Sequence, residues 1–270
     1  MVAPPVKELA LAHHLSVLQP KSLRKVEVID ELKELKPEAI VVAAYGQILP
    51  PQVLAIPTHG CLNVHPSLLP EYRGAAPIAG AILAGEEETG VTIMLMDEGM
   101  DTGPILAQRR LTIEPEDTTE SLSEKLSRLG AALLLETLPL WLRGGITPRP
   151  QDDSQATYTK PTAKEDGLID WSLPAVEIWR RCRAYYPWPS TYTYWRGELL
   201  KVLNAEALPH WSGEGVPGQV MALDEGLAVA TGEGALLLSE VQLAGKRALN
   251  IEDFARGHRD FVGSVLGKES

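Results

Sequence analysis

Asn63 and His65 stand two residues apart in GCLNVH, and side chains two apart on an extended strand share one face. An amide and an imidazole therefore point the same way. Pro66 follows at once; it has no backbone donor and stops regular pairing, which puts the pair at a strand end. Downstream, the apolar run VTIMLM (91–96) enters an acidic, glycine-rich turn, DEGMDTG, that contains Asp97 and Asp101. Such a set supplies an oxyanion donor, a general base with an ordinary pKa near neutrality, and an orienting carboxylate. Plainer readings compete. Asn63 and His65 can be a strand-end hydrogen-bonding pair, and aspartate is common in turns. By residue type alone, Asp97 and Asp101 are both open for the third role.

The elements that would carry these side chains alternate. Apolar spacing predicts helices over 5–15, 26–35, 76–86 and 118–144, with Thr118 or Thr119 as the cap and Gly144 as the stop of the last. Strands are predicted over 39–45, 60–65, 91–96 and 106–113. This alternation predicts an α/β domain with a mostly parallel sheet, of the kind that binds ligands at strand ends. The texture changes near residue 150, giving a domain over 1–150, a polar, proline-rich linker over 151–165 and a second domain over 166–270. In that last part a helix (174–185) precedes five short β-like runs, and a helix over 251–261 closes the chain. Short strands at this spacing predict a small antiparallel barrel.

Composition narrows the setting. The chain has 270 residues and a formal net charge of -11, with a mean hydropathy of -0.06. The acidic balance gives no support for broad wrapping of nucleic acid, although a local basic patch is compatible with it. Two cysteines, Cys61 and Cys182, suggest neither a disulfide framework nor a cysteine-based zinc site. A cytoplasmic location, with no membrane partner, is the expectation. Trp171, Trp179, Trp188 and Trp195 cluster at the start of the second domain, where core packing competes with base stacking.

Taken together, NVHPSLLP, YRGAAPI and DTG resemble the 10-formyltetrahydrofolate-dependent formyltransferases, and the likeness extends through DGLIDWS, RAYYPWPST and LAGKRAL. The resemblance implies a Rossmann-like catalytic domain followed by an oligonucleotide/oligosaccharide-type (OB-like) barrel that helps hold tRNA. It implies formyl transfer from 10-formyltetrahydrofolate to the α-amine of initiator methionyl-tRNA, by a monomer that uses no metal. The DTG context selects Asp101 as the third catalytic residue beside Asn63 and His65. Ser67, Leu68, Leu69 and Pro70 would shape the folate pocket through backbone groups, and Arg73, Lys201, Lys246 and Arg247 would face tRNA. Family members begin with a further βαβ unit that carries a basic loop. Met1 falls where the helix after that loop would start, so the expectation is a chain without this unit and with the 39–45 run as an open sheet edge. Two rival readings are a nucleotide-sugar amine N-formyltransferase and a shortened chain that binds folate or tRNA without turnover.

Overall fold

A computed structural model describes residues 3–267. The N-terminal part comprises α1 (Pro5–Ala12), α2 (Val26–Glu34), β1 (Ile40–Val42), α3 (Pro51–Leu54), β2 (Cys61–His65), β3 (Arg73–Gly74), α4 (Pro77–Ala84), β4 (Glu88–Leu95), β5 (Ile105–Thr112) and α5 (Thr119–Leu142). The connector holds β6 (Tyr158–Thr159). Beyond it lie α6 (Ala175–Ala184), β7 (Thr191–Trp195), β8 (Glu198–Leu208), β9 (Val220–Leu223), β10 (Gly226–Ala230), β11 (Ala235–Leu243), β12 (Leu249–Asn250) and α7 (Ile251–Gly257).

The first sheet runs in the order β1-β2-β4-β5. Only β1 and β2 pair in parallel; β4 is antiparallel to both β2 and β5. The mostly parallel sheet expected from the sequence is thus corrected to a mixed one. The physical reason lies in the turn at 96–104, which joins β4 to β5 and is too short for the crossover that parallel neighbours need. Among the described residues β1 is an edge strand, shorter than the 39–45 run, and Val41 on it is 40% exposed.

Period-two alternation divides β2 between two cores. Leu62 and Val64 pack with Ile82 of α4 and with Leu122, Leu126 and Leu133 of α5. Cys61 joins Val42, Ile29, Leu49 and Val53 on the other side. At Gly130 helix α5 comes so close to β2 that a Cβ there would stand 2.8 Å from Val64 Cγ1. The start of α5 is capped reciprocally: Thr118 Oγ1 accepts from the Ser121 N–H (3.2 Å) and Ser121 Oγ from the Thr118 N–H (3.0 Å).

The C-terminal part is β-rich. Its antiparallel sheet runs β7-β8-β11-β10-β9, with β12 added on β11. Trp171, Ile178, Trp195, Leu236, Phe254 and Phe261 build its core, so Trp171 and Trp195 pack inside while Trp188 is 62% exposed. The edge strands β7 and β9 do not pair with each other, and the sheet is therefore not a closed barrel. Single bridges Tyr194–Gly267 and Gln219–Val265 link the last described residues to both of these edges.

Candidate active site

β2 places its side chains as period two requires. Asn63 pairs in register with Val42 and Met94, and His65 with Thr92, so both side chains leave the sheet on one face at the end of the strand. The β4–β5 turn brings Asp101 over them. Asn63 Nδ2 donates to Asp101 Oδ1 at 3.3 Å, and His65 Nδ1 lies 3.7 Å from the same oxygen. Asp101 Oδ2 accepts the backbone N–H of Gly74 at 2.9 Å. Asp97 does not reach the imidazole. Its Oδ1 accepts from the Gly99 N–H (3.0 Å) and the Thr102 hydroxyl (2.7 Å), which ties the turn together.

The imidazole is 4% exposed. Its Nε2 faces the carbonyl oxygen of Tyr72 at 3.0 Å. A carbonyl can only accept, so Nε2 carries the hydrogen and Nδ1 is left as the basic nitrogen. Burial pushes the His65 pKa below its ordinary value, and the Asp101 charge and the Tyr72 carbonyl work against that shift. A base kept neutral by burial, with a carboxylate ready to stabilise its protonated form, suits proton transfer near neutrality. Asn63 has two amide N–H groups; one is on Asp101, and the other has no protein partner among the described residues. That free donor can meet a developing negative charge.

The other expected site residues sit differently. Ser67 is fully buried; its hydroxyl donates to Glu71 O (2.7 Å) and its carbonyl accepts from Thr92 Oγ1 (2.7 Å). The Leu69 N–H goes to Thr92 Oγ1 (3.1 Å) and its carbonyl accepts from Gln108 Nε2 (2.8 Å). The carbonyl of Leu68 accepts the Glu71 N–H at 3.2 Å, and the Leu69–Pro70 bond is cis. These backbone groups are therefore spent on holding the 67–70 turn, because buried polar groups must be paired. These bonds fix the shape that residues 67–70 present beside the site.

Arg73 lies inside. It is 1% exposed and donates to Gln151 Oε1 (3.1 and 2.8 Å), Asp153 Oδ1 (2.7 Å) and the Tyr158 hydroxyl (3.1 Å). A buried guanidinium has to be saturated this way, and here Arg73 ties the site to the connector. Lys201 lies on β8 opposite Gln242 of β11, and the Gln242 side chain donates to the Lys246 carbonyl at 2.8 Å. Lys201, Lys246 and the adjacent Arg247 thus gather at one end of the second sheet, far in sequence from Arg73. The thiols of Cys61 and Cys182 are buried and pushed up to about 11, which makes both poor nucleophiles. Among the described residues no cluster of His, Cys, Asp or Glu is arranged to hold a metal ion, and no helix is long and apolar enough to cross a membrane.

Sequence reasoning missed the parts that hold this centre. They are the Tyr72 carbonyl, the Gly74 N–H and the connector strand β6, which pairs in parallel with β3. The YRG stretch signals a close approach at Gly74, where φ is +105° and a Cβ would stand 2.5 Å from the Thr159 carbonyl oxygen.

Residues 2–138 match the family model described as formyl transferase, and residues 162–259 the one described as formyl transferase, C-terminal domain. The α/β half and the β-rich half thus coincide with the two matches, and the class is that of the formyl transferases. A methionyl-tRNA formyltransferase from Roseiflexus castenholzii is 52% identical over 266 residues, which cover 98% of this chain and 85% of that protein. The chain belongs to the methionyl-tRNA formyltransferase family. Solved structures agree at the level of the fold. HypX from Aquifex aeolicus, in complex with tetrahydrofolic acid, superposes with a TM-score of 0.66 at 24% identity, over 87% of this chain and 42% of that one. WlaRD, a sugar 3N-formyl transferase, gives 0.67 at 18% identity, over 90% and 82%.

Proposed function

We propose that this chain transfers a formyl group from 10-formyltetrahydrofolate to the α-amino group of initiator methionyl-tRNA, in the cytosol, and that Asn63, His65 and Asp101 carry the reaction. The observation that supports it most is the convergence of these three side chains at the end of β2, around one carboxylate oxygen. 10-Formyltetrahydrofolate supplies the formyl group. The second N–H of Asn63 stabilises the charge that gathers on the formyl oxygen as its carbon becomes tetrahedral. His65 Nδ1 takes the proton that the attacking amine gives up and returns it to the departing folate nitrogen. Asp101 stabilises the imidazolium between those two events. The 67–70 turn forms one wall of the folate pocket by its shape.

We assign residues 1–150 to the catalytic domain, 151–165 to the linker and 166–270 to an OB-like tRNA-binding domain, working as a monomer. Lys201, Lys246 and Arg247 are its candidate tRNA contacts. A formylation assay offering initiator methionyl-tRNA and a nucleotide-sugar amine side by side tests the acceptor. Product on the tRNA alone is expected, and product on the sugar alone overturns the assignment. Turnover that survives Asn63→Ala and His65→Ala together would remove these residues from the mechanism.

A further inference from the structure

The connector does more than join the two halves. Arg149 exchanges both of its backbone hydrogen bonds with Ile105 at the start of β5 (2.8 and 2.9 Å). Two residues on, Gln151 lies against the turn that carries Asp101. Its Nε2 donates to the carbonyl of Asp101 (2.8 Å) and to that of Gly103 (2.7 Å), while its Oε1 accepts twice from Arg73. Two donors and two acceptor lone pairs are the whole capacity of a primary amide, and all are used here. The orientation of the amide is fixed by its surroundings, since two carbonyls demand the nitrogen and a guanidinium demands the oxygen.

What the amide holds is a backbone under strain. Asp101 has φ of 55°, in the left-handed region, which is uncommon outside glycine although aspartate enters it more readily than most. The carbonyl that Gln151 grips belongs to the same residue whose carboxylate reaches Asn63 and His65. The opposite end of the same amide grips Arg73. The flanking Tyr72 and Gly74 supply the carbonyl under His65 and the N–H on Asp101. Gln151 is therefore bonded both to the turn bearing the carboxylate and to the strand that fixes the imidazole.

We propose that Gln151 is a positioning residue for formyl transfer, its side-chain amide clamping the Asp101 turn to the Arg73 strand. The inference rests on the reading of Asp101 as a member of the reacting set. Glutamine suits the place where its relatives in size do not. Glutamate keeps the Arg73 contact but has no N–H for the two carbonyls, and methionine fills the space with neither donor nor acceptor.

The test compares Gln151→Glu, Gln151→Met and Asp101→Asn in the full chain. It uses steady-state formylation of initiator methionyl-tRNA and titration of the His65 ring by NMR. The charged group facing that ring is Asp101, and the Tyr72 carbonyl faces its other nitrogen. Both Gln151 variants are expected to lose between about 10- and 100-fold in kcat, with KM for either substrate changed less than about twofold. In Gln151→Met the His65 midpoint and the acid limb of the kcat profile move to lower pH, in the direction given by Asp101→Asn but by less. Should Gln151→Met fail to fold, Gln151→Glu retains a partner for Arg73 and is read for kcat and KM. Wild-type kcat and His65 titration in the Gln151 variants, beside an inactive Asp101→Asn, overturn the proposal. So does a kcat loss that tracks loss of folded protein with the His65 midpoint unmoved. Full activity of Asp101→Asn is a different failure, because it removes Asp101 from the mechanism whatever Gln151 does.

Discussion

His65 Nδ1 stands 3.7 Å from Asp101 Oδ1, within reach of the charge but too far for a strong hydrogen bond. The carboxylate therefore acts on the imidazole mainly through space. Asp101→Asn removes that field while keeping the shape, and kcat is expected to fall on the order of 10³-fold. With the charge gone, nothing but the Tyr72 carbonyl opposes the lowering by burial, so the acid limb of the kcat profile shifts to lower pH. A pH–rate series on both proteins measures this.

The burial of His65 also predicts a pH-dependent stability. Its folded pKa lies below the ordinary 6.5, so between the two values the unfolded chain binds a proton that the folded chain does not. Stability then falls as pH drops through about 6.5 and levels off below the folded pKa. His65→Gln, which can still donate to the Tyr72 carbonyl, loses this component. Urea denaturation at about pH 7.5 and about pH 5.5 will show wild type losing more on acidification than the variant.

Asn63→Ala takes away the donor and leaves the strand intact. A kcat loss of about 10²- to 10³-fold is expected, with KM for both substrates little changed, because the bond strengthens only as charge develops. An equal loss in substrate binding with kcat preserved would contradict the assignment. Steady-state kinetics distinguishes the two.

At Gly74 the seam between site and connector has no room. Gly74→Ala puts a methyl group 2.5 Å from the Thr159 carbonyl oxygen at a φ of +105°. A cost of about 2–4 kcal/mol in stability is expected, together with a fall in kcat, since the same residue's N–H holds Asp101. Calorimetry and the formylation assay on one preparation test both halves of this statement.

The meeting of Asn63, His65 and an acidic turn was legible in the sequence because its signal is local. Period two on β2 puts Asn63 and His65 on one face, and the acidic turn announces a carboxylate at the end of a neighbouring strand. Helix α5 was legible from its apolar spacing, its cap at Thr118 and the left-handed stop at Gly144. Strand direction was not, because a helix between strands suggests a parallel crossover, whereas the chain returns through α4 and pairs β4 antiparallel to β2. The run at 39–45 gives a strand only over Ile40–Val42, and Ala44 turns away at φ 49° with no Gly or Pro of its own to mark it. The burial of Arg73 was not legible for a related reason. A cation suggests a surface, and its partners Gln151 and Asp153 lie 78 and 80 residues away. A polar, proline-rich composition marks a connector but says nothing about what the connector touches.

Because Tyr158 and Thr159 run as a strand beside Arg73 and Gly74, the two halves of this molecule share a stitched border. A fragment cut at residue 150 would own Asn63, His65 and Asp101 and none of the thread that ties their turn and strand together. A foreign module grafted onto this scaffold would therefore have to be joined beyond residue 159 for the border to stay whole.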